Sequence, residues 1–423
     1  MELTDQERAM ADGAEGAAVQ WAIQSQIEVG KAFGANRLIP VSCAHMMGDM
    51  EVLTRHGYDF IARLAGSGAT VCTPTTTNAR CVDFDAASLL RQDPQMVADE
   101  ARLKQLLGRM GVVLTDTCVN YQTVYQPTLG EHIAWGDTGT VIYANSVFGA
   151  RSNFESGPAA LAAGLTGRTP EYGFHLPEAR RGTVRVELDF TPEDLSDWGA
   201  IGAVVGREVN DYWAAPVFTS APPGVSSDAI KHLGAALASY GSLAMFHMVG
   251  VTPEAPDEET AFGGNAPQRT VVVNADAIRA VYESYPAPSE PVDLVVLTGP
   301  QLSIFELRAA AQLIEGRRVH PDTTFLITTN AQNRHLASQL GYLDVLSKAG
   351  ATVLAGTCFY LMNVPAMRRE FGWDNVITNS AKLANIVGGY GLRATFRRTA
   401  ECVDAAVTGR VADASDTGRP GDD

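Results

Sequence analysis

The chain opens in the pattern of a capped helix. In Leu3-Thr4-Asp5, Thr4 can offer its hydroxyl to the first turn, and Glu7, three residues on, can reach back to the Thr4 backbone. This helix is predicted to run to about residue 13, and a second to cover about 17–35. Short apolar runs follow, each closed by small polar residues. Arg37-Leu38-Ile39-Pro40-Val41 leads into Ser42-Cys43-Ala44-His45, and Ala69-Thr70-Val71-Cys72 into Thr73-Pro74-Thr75-Thr76-Thr77-Asn78. Gly111-Val112-Val113-Leu114 leads into Thr115-Asp116-Thr117-Cys118. The second half repeats the habit: Asp293-Leu294-Val295-Val296-Leu297 before Thr298-Gly299-Pro300, Thr324-Phe325-Leu326-Ile327 before Thr328-Thr329-Asn330, and Ala351-Thr352-Val353-Leu354 before Gly356-Thr357-Cys358. Between them Ile304, Leu307, Ala311 and Ile314 recur at helical spacing. Strand, polar loop, helix, strand is the order of an open α/β sheet, whose ligands sit just past the carboxyl ends of the strands. The polar residues that close the runs are therefore where chemistry is expected.

The run Thr183-Val184-Arg185-Val186-Glu187-Leu188-Asp189-Phe190 alternates, which predicts a half-exposed strand, and Arg180-Arg181-Gly182 before it suggests a boundary. With 423 residues the chain exceeds what one core usually serves, roughly 250–300. We expect an N-terminal α/β lobe over 1–180, a second over 181–410, a loop rich in Pro, Glu and Asp at about 252–268, and a disordered acidic tail over 411–423.

A net charge of −16, with no run of Lys and Arg, argues against nucleic acid as a partner. The polar, acidic opening does not resemble a secretory leader, and no apolar stretch is long enough to predict a membrane span, so the cytoplasm is the expected compartment. Six scattered cysteines without a CxxC pair read as reduced thiols or metal ligands.

Several motifs, in order, carry a family resemblance: Ser42-x-x-His45 with Gly48, Pro74-Thr75-Thr76-Thr77-Asn78, Cys118-x-x-Tyr121-Gln122, and Pro127-x-x-Gly130-Glu131. Tyr143-Ala144-Asn145-Ser146-Val147-Phe148-Gly149-Ala150-Arg151, Thr166-Gly167-Arg168-Thr169-Pro170, and Gly173-Phe174-His175-Leu176 continue the series. Phe246-His247 with Val249-Gly250-Val251-Thr252-Pro253-Glu254-Ala255, Gly356-Thr357-Cys358, and Thr378-Asn379-Ser380-x-Lys382 complete it. Together these resemble the large, catalytic subunit of the aconitase X family across nearly the whole chain. The resemblance implies an aconitase-like three-layer α/β/α large domain without the small swivelling domain. It also implies hydro-lyase activity on a small carboxylated metabolite, cis-3-hydroxyproline and mevalonate 5-phosphate being substrates in the family. An iron–sulfur cluster on three cysteines and a separate small swivelling-domain subunit are further implications.

Two departures alter that picture. Cys118 and Cys358 match two of the family's cluster positions, but the Gly-Cys-Pro-His-x-Ser pattern of the third reads Thr298-Gly299-Pro300-Gln301-Leu302-Ser303. The family's Glu-Ser-Asn-Ala stretch reads Asp137-Thr138-Gly139-Thr140. Clusters are held by Cys thiolates, and glycine has no side chain to replace one. A metal-free site, or a different metal on Cys118, Cys358 and His45, is expected over an ordinary cluster.

Dehydration needs a base, a proton donor for the departing hydroxide, and donors that hold a carboxylate. The catalytic candidates are Lys382, Ser380, His45, Cys118 and Cys358; the substrate-binding candidates are Arg151, Asn78, Asn145, Ser146, Asn379 and Arg168. Arginine binds a carboxylate by two parallel bonds, but also makes structural salt bridges. Ser380 and Asn379 read equally as helix caps, Asn78 and Asn145 as turn formers, and the cysteines as plain buried thiols. His247, in an apolar stretch, is expected to be structural. Against the hydro-lyase or isomerase reading stand a cluster-free enzyme with another acid–base reaction and a non-catalytic binding protein on the same fold.

Overall fold

The computed structural model describes residues 1–289 and 291–412; most of the acidic tail expected to be disordered therefore lies outside the described residues. The opening helix is Asp5–Ala11, and the predicted capping box forms: Glu7 N–H donates to Thr4 Oγ1 at 3.2 Å, and Thr4 N–H donates to Glu7 at 2.8 Å. The second helix is Ala17–Ala32. Among the described residues no helix is long and apolar enough to cross a membrane.

A five-stranded parallel sheet runs in the order Thr352–Ala355, Thr324–Thr329, Leu294–Leu302, Asn375–Thr378, Arg393–Phe396. Its central strand is buried at every position, as a strand covered on both faces must be. Val295 and Leu297 pack into the core beneath Ile304–Ile314, whereas Leu294 and Val296 face a second core with Met367 and Leu383. That alternation is the strand period expressed as three layers.

The alternating run became Val184–Asp189, an interior strand of a four-stranded parallel sheet with Pro216–Phe218 and His247–Met248 on one side and Arg269–Asn274 on the other. The helices Leu195–Val209 and Ser227–Gly241 cross so closely that a Cβ on Gly241 would meet the Gly206 carbonyl oxygen at 2.5 Å. His247 is structural, its Nε2 lying 2.6 Å from the Arg180 carbonyl.

The N-terminal region differs from its sequence reading in two places. Ala69-Thr70-Val71-Cys72 is not a strand; Val71 and Cys72 hydrogen-bond Met110 and Gly164 in a loop. The strand is Thr75–Thr77, whose β-branched threonines suit a pleated backbone better than the mixed run before them. The run at 111–114 leaves one bridge, Val113 to Thr76. A three-stranded parallel sheet results, Thr75–Thr77, Ala44–Met46, Ala134–Trp135, while Leu38–Pro40 pairs separately with Arg168–Pro170.

In all three parallel sheets the first strand in sequence is interior, and later strands build on one side before crossing to the other. A crevice opens at the carboxyl ends wherever that reversal occurs. One reversal lies between Ala44–Met46 and Ala134–Trp135, and another between Leu294–Leu302 and Asn375–Thr378.

Glu155 anchors the first of these sheets from behind. Its N–H donates to the Trp135 carbonyl at 2.9 Å, and its buried carboxyl accepts from Thr169 Oγ1 at 2.8 Å. Burial pushes this carboxyl up from 4.5 to about 7, despite the Thr169 bond. The folded chain thus holds a proton that the unfolded chain releases, so stability is full below about pH 4.5 and declines as pH rises towards 7. Glu155→Gln is expected to leave stability at pH 4 unchanged and to raise it at pH 8, by at most about 3 kcal/mol. Urea unfolding at the two pH values checks this, and equal shifts at both would refute it.

Candidate active site

The two crevices face each other. Asp137, just past Ala134–Trp135, caps the helix Thr138–Tyr143 by accepting from Thr140 N–H at 3.0 Å. Its other oxygen accepts from Asn78 Nδ2 at 3.5 Å and lies 4.0 Å from Lys382 Nζ. Lys382 enters from the opposite sheet, on Ala381–Val387 beyond Asn375–Thr378, with its ammonium 5.7 Å from the Tyr360 ring centre. Both members of the pair are buried, at 3% and 7% exposure. Gly139 leaves room for them, since a Cβ there would stand 3.1 Å from Asp137 and 3.8 Å from Lys382 Nζ.

Around this pair the groups are neutral. His45 is buried with Nδ1 2.7 Å from Thr76 Oγ1 and no hydrogen-bond partner at Nε2 among the described residues. Burial holds its imidazole down at about 4, although Asp137 and Asn78 pull the other way. Burial first, and Asp137 next, push the Cys118 thiol up to about 11; burial and then Cys118 raise Cys358. Burial first, and Cys358 next, raise Tyr360 well above the usual phenol range. Near neutral pH the cluster thus offers one neutral imidazole, two thiols and a phenol that can donate a proton, and these stand beside the Lys382–Asp137 contact.

Three models describing the first, second and third domains of aconitase X match residues 1–178, 182–283 and 292–408. The chain belongs to the aconitase X family. It is 33% identical to the phosphomevalonate dehydratase large subunit of Methanothermobacter thermautotrophicus, over 92% of this chain and 95% of that one. It is 34% identical to the cis-3-hydroxy-L-proline dehydratase of Pseudomonas aeruginosa, over 96% of this chain and 70% of that protein. The crystal structure of Thermococcus kodakaraensis aconitase X in its holo form superposes with a TM-score of 0.87 at 28% identity, covering 96% of this chain and all of that one. The fold is the aconitase X α/β fold.

The three-cysteine cluster implied by the aconitase X resemblance does not fit the residues present. Cys118 and Cys358 are both here, but Gly299 stands at the third position with φ +62°, a conformation that disfavours any side chain. A Cβ added there would meet Ser380 Oγ at 3.2 Å. The other cysteines are engaged or remote: Cys43 takes the Trp135 indole N–H at 3.2 Å, Cys81 lies against Glu100, and Cys72 is exposed. Among the described residues no three His, Cys, Asp or Glu side chains are grouped to hold a metal, so the trio Cys118, Cys358 and His45 does not fit a mononuclear site either.

The other sequence candidates have their side chains engaged in structural bonds. Arg151 bridges to His132 at the amino end of the Ala134–Trp135 strand, away from Asp137, and donates to the His175 carbonyl at 3.1 Å. Arg168 spans to the N-terminal helix, pairing with Glu7 and Gln6 at 2.9 Å each. Asn145 is used up on main chain, donating to the Ser152 and Ala244 carbonyls and accepting from Ser152 N–H; Ser146 accepts from Phe246 N–H. Ser380 donates to the Gly299 carbonyl and caps its helix by accepting from Leu383 N–H at 3.1 Å. Asn379 donates to Thr399 Oγ1 at 3.1 Å and lines a separate cavity with Asp194 and Trp198. Of the eleven candidates, His45, Asn78, Cys118, Cys358 and Lys382 converge. Asp137 and Tyr360 were missed as site residues. Asp137 ends an apolar run, Ile133-Ala134-Trp135, and that position was its signal; Tyr360 sits in an aromatic stretch with none.

Proposed function

We propose that this chain is a hydro-lyase that removes water from a small hydroxy-carboxylate. What supports the reading is the buried Lys382–Asp137 pair beside a neutral His45 and two protonated thiols, in a chain whose close relatives are named dehydratases. In this reading Lys382 holds the substrate carboxylate against the desolvating interior. His45 Nε2 takes the proton next to that carboxylate. An entering carboxylate adds a second negative charge to that of Asp137, so the substrate itself raises the basicity of the imidazole. The C–O bond breaks as Cys118 or Tyr360 protonates the departing hydroxide, giving water and an unsaturated acid. Asn78 orients Asp137, and Asp137 keeps the ammonium in place. Because one relative is named as a large subunit, a separate small subunit is proposed to close the site.

The test is turnover of a panel of hydroxy acids, including phosphorylated and cyclic ones, by anaerobically purified protein with and without candidate small subunits. Dehydration by colourless, iron-free protein is the expected result. Turnover appearing only after reconstitution with iron and sulfide would overturn the metal-free mechanism, and binding without any turnover would make the chain a binding protein.

A further inference from the structure

Gln301 stands where the aconitase X pattern has histidine, and it makes more contacts than a replaced residue needs. The side chain is fully buried. Its Oε1 accepts from Thr117 Oγ1 at 2.8 Å and from Cys118 N–H at 3.3 Å. Its Nε2 donates to the Thr357 carbonyl at 3.0 Å and to the Asp116 carbonyl at 3.4 Å. Only this amide orientation works, because a flip would set N–H against N–H and oxygen against two carbonyls. The main chain adds to the hold: Gln301 N–H donates to Cys118 Sγ at 3.3 Å, and its carbonyl accepts from buried Lys231 at 3.2 Å.

These bonds join two loops from different parts of the chain. One carries Cys118, after the Val113 bridge; the other carries Cys358, after Thr352–Ala355. The same two cysteines are the family cluster positions that survive here, and the third is Gly299, two residues before Gln301. We infer that the Gln301 amide is a positioning residue that ties the Cys118 and Cys358 loops together in place of the cluster whose third ligand this chain lacks. It does so asymmetrically: the carbonyl end holds only the Cys118 loop, through Thr117 and Cys118, whereas the amine end is the only side-chain hold on the Cys358 loop, through Thr357 at 3.0 Å, with a longer bond of 3.4 Å back to Asp116. The loop fastening stands on geometry alone, and its effect on rate rests on the hydro-lyase reading.

The asymmetry gives the test. Gln301→Glu keeps an oxygen facing Thr117 and Cys118 but puts a second oxygen against the Thr357 and Asp116 carbonyls. Maleimide labelling of native protein, read by mass spectrometry at each cysteine, is expected to speed up about tenfold at Cys358, with Cys118 changing less than about threefold. Gln301→Met removes both ends and is expected to release both thiols. Cys402, buried against the Arg397 carbonyl in another core, is the internal control and should not change. Wild-type labelling rates in both variants would overturn the inference, as would equal acceleration at Cys402, which would mean general loosening. If Gln301→Met does not fold, the Gln301→Glu comparison of the two thiols still decides. A fall in kcat of about tenfold with KM little changed should accompany release of Cys358. Loop release with kcat unchanged would leave the fastening established and count against the site reading alone.

Discussion

Lys382→Met is expected to lower kcat by about 10²–10⁴-fold, the range that loss of one essential polar group in a reacting site produces. Methionine keeps most of the length of the side chain and much of its packing over Tyr360, so the surrounding packing changes little. What goes is the only cation the structure sets against Asp137 in this cluster among the described residues. Asp137 is then a buried carboxylate without a counter-ion, and the substrate carboxylate loses its anchor as well, so KM should rise while kcat falls. Lys382→Arg restores the charge with a different shape and should recover only part of the rate. Steady-state kinetics on the best substrate of the panel measures both. A Lys382→Met enzyme within about threefold of wild type in kcat would remove the ion pair from the mechanism.

Arg80→Met is expected to cost about 3–5 kcal/mol of stability, the usual penalty for removing one partner of a buried ion pair. Arg80 is 1% exposed and Glu100 fully buried, with their charged atoms 2.7 Å apart, and Arg80 Nε reaches Asp116 at 2.6 Å. Asp116 keeps Lys104 at 3.0 Å, so most of the penalty falls on Glu100, left with the Met50 N–H at 2.8 Å as a donor. The effect should reach the site, because the Arg80 backbone bridges to the loop after Thr352–Ala355: its N–H donates to the Gly356 carbonyl, and Cys358 N–H donates to its carbonyl at 3.2 Å. Denaturant unfolding gives the magnitude, and a loss under about 1 kcal/mol would show that the network is not worth its burial.

The region around Arg80 also shows why part of the site could be read along the chain and part could not. Asn78, Cys358 and Lys382 follow parallel strands and Cys118 follows the Val113 bridge, so they reach one edge, whereas His45 lies within the strand Ala44–Met46, just past the separate strand Leu38–Pro40. Arg151, Asn145 and Ser146 lie in a segment that reads equally well as site, yet they fasten main chain. A motif records that a residue type is needed and is silent on whether the need is chemical or structural. Arg168 makes the same point with charge: Glu7, more than a hundred and fifty residues earlier, takes its guanidinium, and nothing local announces that.

By itself the sequence determined the α/β class, the capped first helix, the buried and alternating strands and the family, because these depend on local propensity, on the strand and helix periods, and on ordered motifs. Only the tertiary structure decided that two sheet reversals face each other, that Asp137 meets Lys382 across them, and that Gln301 spans the two cysteine loops. The physical reason is range. Hydrogen bonds and ion pairs act over a few ångströms, and which distant residues come that close depends on how the strands are ordered, a choice that no short stretch of chain contains.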